Sequence, residues 1–144
     1  MTNTSFRDYS RSLPMALLRA REGVMNRFRP ILRAHDLTEQ QFRILRALTT
    51  ADELRAVDVS KATLLSPPSL SRTIKGLEAR KLISRRVEKG DQRAFMLKIT
   101  KRGSDLVALI GEHSEAEYRD IEDRIGKKKM DQLHKLLAEV GEKI

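Results

Sequence analysis

Ser69, Ser71, Arg72, Thr73 and Lys75 fall within seven consecutive positions of this 144-residue chain. Their chemistry is that of donors to a polyanion. Hydroxyls reach base edges or phosphate oxygens, a guanidinium forks onto guanine, and an ammonium pairs with phosphate. Interleaved with them, Leu70, Ile74 and Leu77 recur at i, i+4 and i+7, the spacing of one helix face. A helix over this stretch buries those three and turns the donors outward. Because a helix fits the major groove, Ser69, Arg72 and Thr73 are assigned to base contacts, with Ser71 and Lys75 on phosphates.

Charge agrees. Ser66–Arg102 holds eleven Lys/Arg against Glu78, Glu88 and Asp91, a net of +8 out of +9 for the chain. Arg85, Arg86 and Lys89 are expected on phosphates, which makes binding steeply salt-dependent. The basic character stops there: residues 103–144 carry seven basic and ten acidic groups.

A second cluster lies earlier. Arg19, Arg21, Arg43 and Arg46 stand among Met25, Phe28, Phe42 and Leu45. A planar guanidinium suits a carboxylate, and an apolar lining suits a ring. The competing reading is structural, with these arginines paired to Glu22, Glu39 or Asp36.

Other chemistries find little support. The chain has no cysteine, which removes disulfides, thiolate zinc sites and thiol switches. His35, His113 and His134 lack metal-ligand spacing. Lys89-Gly90-Asp91 is not a phosphate loop, and the acids from Glu115 to Asp123 read as a solvated helix face. No nucleophile–base pair is visible, so neither an enzyme nor a cofactor is expected. No apolar run approaches the roughly 18 residues of a membrane span, and the expected location is the cytoplasm.

The positioning elements follow from local signals. Residues 1–12 form a polar extension. Leu13–Ala34 is helical, with Leu17, Val24, Phe28 and Ile31 on one stripe and Leu18, Met25 and Leu32 beside it. So wide an apolar arc wants burial on two sides, by its own domain and by a partner. Pro30 should bend this helix or loosen its last turn. Thr38-Glu39-Gln40-Gln41 is a capping box opening a second helix. A third, near Ala56–Ala62, is expected to turn Val57 inward. Ser66 caps the fourth, with Pro67 and Pro68 in positions that need no N–H. Ile83–Val87 and Phe95–Ile99 alternate as strands of a hairpin, and helices follow from Thr100 to Val140. The fold class is mainly α with a small β-hairpin wing: a winged helix-turn-helix at 38–102 within one domain at 13–142. Helices at 13–35 and 103–142 form its dimerisation region, and a homodimer is the simplest partner.

In this order the residues resemble the MarR family of bacterial transcription regulators. LSPPSLSRTIKGLEARKLISRR is similar to its recognition helix and following strand. Asp91-Gln92-Arg93 matches its wing-tip Asp-x-Arg, and Ile99-Thr100-Lys101-Arg102-Gly103 its return into the next helix. ALLRAREGVMNRFRPILRAHDLTEQQFRILRAL is similar to the first two helices of the homoprotocatechuate (4-hydroxyphenylacetate) catabolism repressors in that family. The resemblance implies a repressor on a pseudo-palindromic operator, with Arg93 in the minor groove and Asp91 holding the wing. It further implies an aromatic-acid effector between the dimer helices and the reading module, met first by Arg21 and then by Arg46. Lys81 departs from the family, which usually ends the recognition helix with glycine. Competing functions are a regulator of the same fold sensing antibiotics or other phenolics, and a basic DNA-binding protein without sequence preference.

Overall fold

A computed structural model describes residues 8–88 and 94–144. A short 3-10 turn, Tyr9–Arg11, precedes α1 (Leu13–Ala34), whose N-cap is Ser12. Pro30 lies inside α1 without ending it. The helix closes at His35, and Asp36 takes the left-handed conformation with φ 55°. The capping box at Thr38 opens α2 (Glu39–Leu48): the Gln41 amide donates to Thr38 Oγ1 at 3.1 Å, and the Thr38 amide to Gln41 Oε1 at 3.0 Å.

After α2 comes a two-residue strand, β1 (Leu54–Arg55), then α3 (Ala56–Thr63) and the recognition helix α4 (Pro67–Ala79). β2 (Ile83–Val87) and β3 (Phe95–Ile99) form the wing. The three strands are antiparallel in the order β1-β3-β2, with Leu54 opposite Leu97 and Arg85 opposite Leu97 on the other side. α5 (Lys101–Ile125) and α6 (Lys127–Lys143) complete the chain, joined at Gly126 with φ 96°. None of the described helices is long and apolar enough to cross a membrane.

One core holds the reading lobe to the long helices. Leu70, Ile74 and Leu77 of α4 pack with Ile44, Leu45 and Leu48 of α2, Leu97 of β3, and Val107 and Ile110 of α5. Val57 is a correction: it is 54% exposed, and Val59 is the fully buried residue of α3. A helix starting at Ala56 aims Val59 and, four residues on, Thr63 at the core, which leaves Val57 on the far side.

The recognition helix ends in a Schellman motif built on a residue other than glycine. The Leu82 amide donates to the Leu77 carbonyl at 3.0 Å and the Lys81 amide to the Glu78 carbonyl at 2.9 Å. Lys81 is left-handed at φ 60°, a conformation costing a lysine about 1 kcal/mol relative to glycine. Two contacts hold it: Thr100 Oγ1 donates to the Lys81 carbonyl at 2.8 Å and the Thr100 amide to the Leu82 carbonyl at 3.0 Å. Arg80, the C-cap, donates to the Asp36 and His35 carbonyls at 2.6 and 3.2 Å. The end of the recognition helix is thereby tied to the end of α1 and the start of α5.

Candidate DNA-reading face and ligand cavity

Helical spacing gives each donor on α4 a distinct direction. Arg72 stands opposite the Leu70–Ile74–Leu77 face and is exposed, as are Ser71 and Lys75. Ser69 and Thr73 lie at the edge of the buried face and are half-buried. With Arg72 they line a shallow groove shared with Thr38, Gln40 and Gln41 at the start of α2. The Thr73 hydroxyl already donates to the Ser69 carbonyl at 2.7 Å, so toward a base it offers chiefly an acceptor. Arg72 is the long cation that lines this groove. Arg72→Ala is expected to weaken binding to a specific operator by about 1–3 kcal/mol and binding to random duplex much less. Competition titrations against both DNAs measure this, and equal losses would contradict base reading.

The wing arginines are differently placed. Arg85 pairs with Glu78 of α4, and its guanidinium carbon lies 4.7 Å from the Phe95 ring centroid. Arg86 grips Glu53 through contacts of 2.7–3.1 Å. Glu78 and Glu53 raise the proton affinity of these two guanidiniums. In the free protein both arginines fasten the sheet to its surroundings, and a phosphate must compete with a carboxylate for each. Lys89, Asp91 and Arg93 lie outside the described residues.

A cavity of about 270 Å³ opens between α1, α2 and α5. Arg21, Met25, Phe28 and Leu32 come from one face of α1, at i, i+4, i+7 and i+11. α2 supplies Glu39, Phe42, Arg43 and Arg46, and α5 supplies Ile110, Ser114 and Tyr118. The Phe28 and Tyr118 rings pack with centroids 4.7 Å apart. Of the residues expected around a ligand, Arg21, Arg43, Arg46, Met25, Phe28 and Phe42 converge here. Arg19 does not line the cavity, because two residues along a helix from Arg21 its side chain points nearly the opposite way. Leu45 is wholly buried in the core rather than in the cavity wall.

The arginines are unequally committed. Arg21 donates to Glu39 Oε2 at 2.7 Å and lies 3.5 Å from Glu22. Arg29, behind it, donates to Glu39 Oε1 at 2.5 Å and to both Glu22 oxygens at 2.8 Å. Arg21 first, then Arg29, holds the Glu39 carboxyl below its ordinary range, and Arg29 does the same for Glu22. Arg46 makes no ion pair among the described residues. Arg43 Nη1 donates to the Thr63 carbonyl at 2.8 Å, while its Nε is buried with no partner among the described residues. A donor left in that state costs about 1–3 kcal/mol. An entering carboxylate thus meets a satisfied Arg21, an unpaired Arg46 and a partly used Arg43.

The α5 wall was invisible in the sequence. Ser114 and Tyr118 lie some ninety residues from the α1 side chains they face, and only the fold joins them. The competing structural reading, with these arginines paired to Glu22, Glu39 or Asp36, holds for Arg21, which meets both Glu39 and Glu22.

The MarR family profile matches residues 35–94, from the end of α1 into the wing. The HTH-type transcriptional regulator FarR of Neisseria gonorrhoeae is 38% identical over 130 residues, which cover 90% of this chain and 89% of that protein. The homoprotocatechuate degradative operon repressor of Escherichia coli is 38% identical over 128 residues, covering 89% and 86%. The chain belongs to the MarR family. Among solved MarR-like structures, NadR in complex with 4-hydroxyphenylacetate superposes with a TM-score of 0.79 at 36% identity, over 94% of this chain and 96% of that one. Membership in a family of transcription regulators accords with the exposed face of α4, and the winged helix-turn-helix is the MarR fold.

Proposed function

We propose that this MarR-family chain is a homodimeric, operator-specific repressor released from DNA by a small aromatic carboxylate. The observation that carries the reading is the cavity. Its walls are aromatic and aliphatic, its unclaimed charge is positive, and it lies against α2, which packs on the recognition helix. Such a set binds and orients a ring bearing a carboxylate; it does not activate one for reaction. Arg46 takes the carboxylate, with Arg43 beside it, while Phe28, Phe42 and Met25 enclose the ring. That relatives include a homoprotocatechuate operon repressor and a 4-hydroxyphenylacetate-bound regulator supports a phenylacetate-like effector.

Release requires the effector to favour one spacing of the two recognition helices. A tenfold loss of operator affinity needs a differential of about 1.4 kcal/mol between the two states. Calorimetry with 4-hydroxyphenylacetate and its neutral amide tests the site. The acid is expected to bind and the amide to bind at least tenfold more weakly. Arg46→Ala is expected to remove about 1.5–3 kcal/mol of acid affinity, roughly ten- to a hundredfold in Kd. Equal affinity for acid and amide would overturn the assignment.

A further inference from the structure

One side chain spans the cavity and the turn that launches the recognition helix. Arg43 lines the cavity from α2, and its Nη1 meets the carbonyl of Thr63, the last residue of α3. The guanidinium therefore sits at the electronegative end of α3. Immediately beyond, Leu64 is left-handed with φ 58°, Ser60 Oγ donates to the Leu65 carbonyl at 2.7 Å, and Ser66 caps α4. Arg43 thus fixes the last residue of α3, directly before the turn within the helix-turn-helix.

The same guanidinium is incompletely used. Its Nε is buried without a partner among the described residues, in a position where chains ordinarily satisfy a polar group. Arg21, on the opposite wall, shows what satisfaction looks like, with its Glu39 partner at 2.7 Å.

We propose that Arg43 is the positioning residue that transmits occupancy of the cavity to the recognition helix. Its Nε edge takes the effector carboxylate, and the side-chain rotation that presents this edge withdraws Nη1 from the Thr63 carbonyl. The end of α3 then loses its cationic cap, and the turn at 64–66 shifts the start of α4, carrying Ser69 and Arg72 with it. This rests on the proposed carboxylate effector and adds the route by which it acts.

The test uses full-length wild type, Arg43→Met, Arg43→Lys and Arg46→Ala, with an operator duplex selected from a random-sequence pool. Operator Kd is measured without acid and with saturating 4-hydroxyphenylacetate. Acid binding is measured separately by calorimetry, and amide exchange is followed over residues 60–72. In wild type, acid is expected to raise the operator Kd at least tenfold and to speed exchange at 61–63, the last turn of α3. In Arg43→Met the ratio falls below twofold although the cavity is saturated, and 61–63 exchange fast even without acid. Arg43→Lys keeps a cation for the Thr63 carbonyl but lacks the forked edge. It should show slow exchange without acid, yet a ratio below threefold. Arg46→Ala needs more acid but exchanges as slowly as wild type without it, which separates loss of acid affinity from loss of the Thr63 contact. A tenfold ratio persisting in both Arg43 variants overturns the inference and leaves the proposed function standing. Wild type that binds the acid but keeps its operator overturns both the inference and the proposed function, as does wild type that binds no acid.

Discussion

Gly103→Ala is expected to destabilise the protein by at least about 3 kcal/mol, the upper end of the usual overpacking cost. Gly103 lies in the first turn of α5 and is buried. A Cβ there would stand 2.2 Å from the Leu82 carbonyl oxygen and 2.8 Å from Ile99 Cγ1. The oxygen cannot retreat cheaply. It accepts the Thr100 amide, and its residue closes the Schellman motif of the recognition helix. The sign is diagnostic, because Gly→Ala within a helix ordinarily stabilises by about 1 kcal/mol. Urea unfolding of the two proteins measures it through the midpoint and slope. A variant as stable as wild type would show that α5 does not rest on Leu82 as described.

The second large effect concerns assembly. No residue of α6 is buried within the chain, and Leu136 and Leu137 are 58% and 44% exposed. Leu17 and Leu18 on α1 are likewise open. Apolar faces on both terminal helices fit a homodimer interface. Leu136→Glu combined with Leu137→Glu is expected to give a monomer by sedimentation. Operator affinity should then fall about 10²–10⁴-fold, since the second half-site is no longer held at high effective concentration. A double variant that stays dimeric would place the interface elsewhere.

Most of the scaffold was legible because its signals are local. Ser66 with two prolines, the Thr38 capping box, and the Leu70–Ile74–Leu77 spacing each specify structure within a few residues, and each matches the elements observed. β1 was not legible. Two residues carry no alternation, and Leu54–Arg55 becomes a strand only because β3 offers an edge to pair with. Val57 misled for a related reason: over eight residues, a shift of two in the expected inward position reverses the face. The arginine cluster was visible as composition, but its division of labour was not. That Arg21 is claimed by Glu39, Arg85 by Glu78 and Arg86 by Glu53 depends on pairs from different elements. Such pairings are set by packing, which no spacing rule encodes. The departure at Lys81 proved conformational. The helix ends where glycine would end it, with lysine held at positive φ by Thr100 and by the backbone bonds around it.

The central claim is that a carboxylate in the α1–α2–α5 cavity governs DNA binding. Its most direct measurement is the affinity of wild-type protein for a selected operator duplex, at fixed salt, with and without saturating 4-hydroxyphenylacetate. The amide analogue serves as the control. Operator Kd is expected to rise at least tenfold with the acid and to change less than twofold with the amide. An operator affinity unchanged by acid that is bound in the cavity would contradict it.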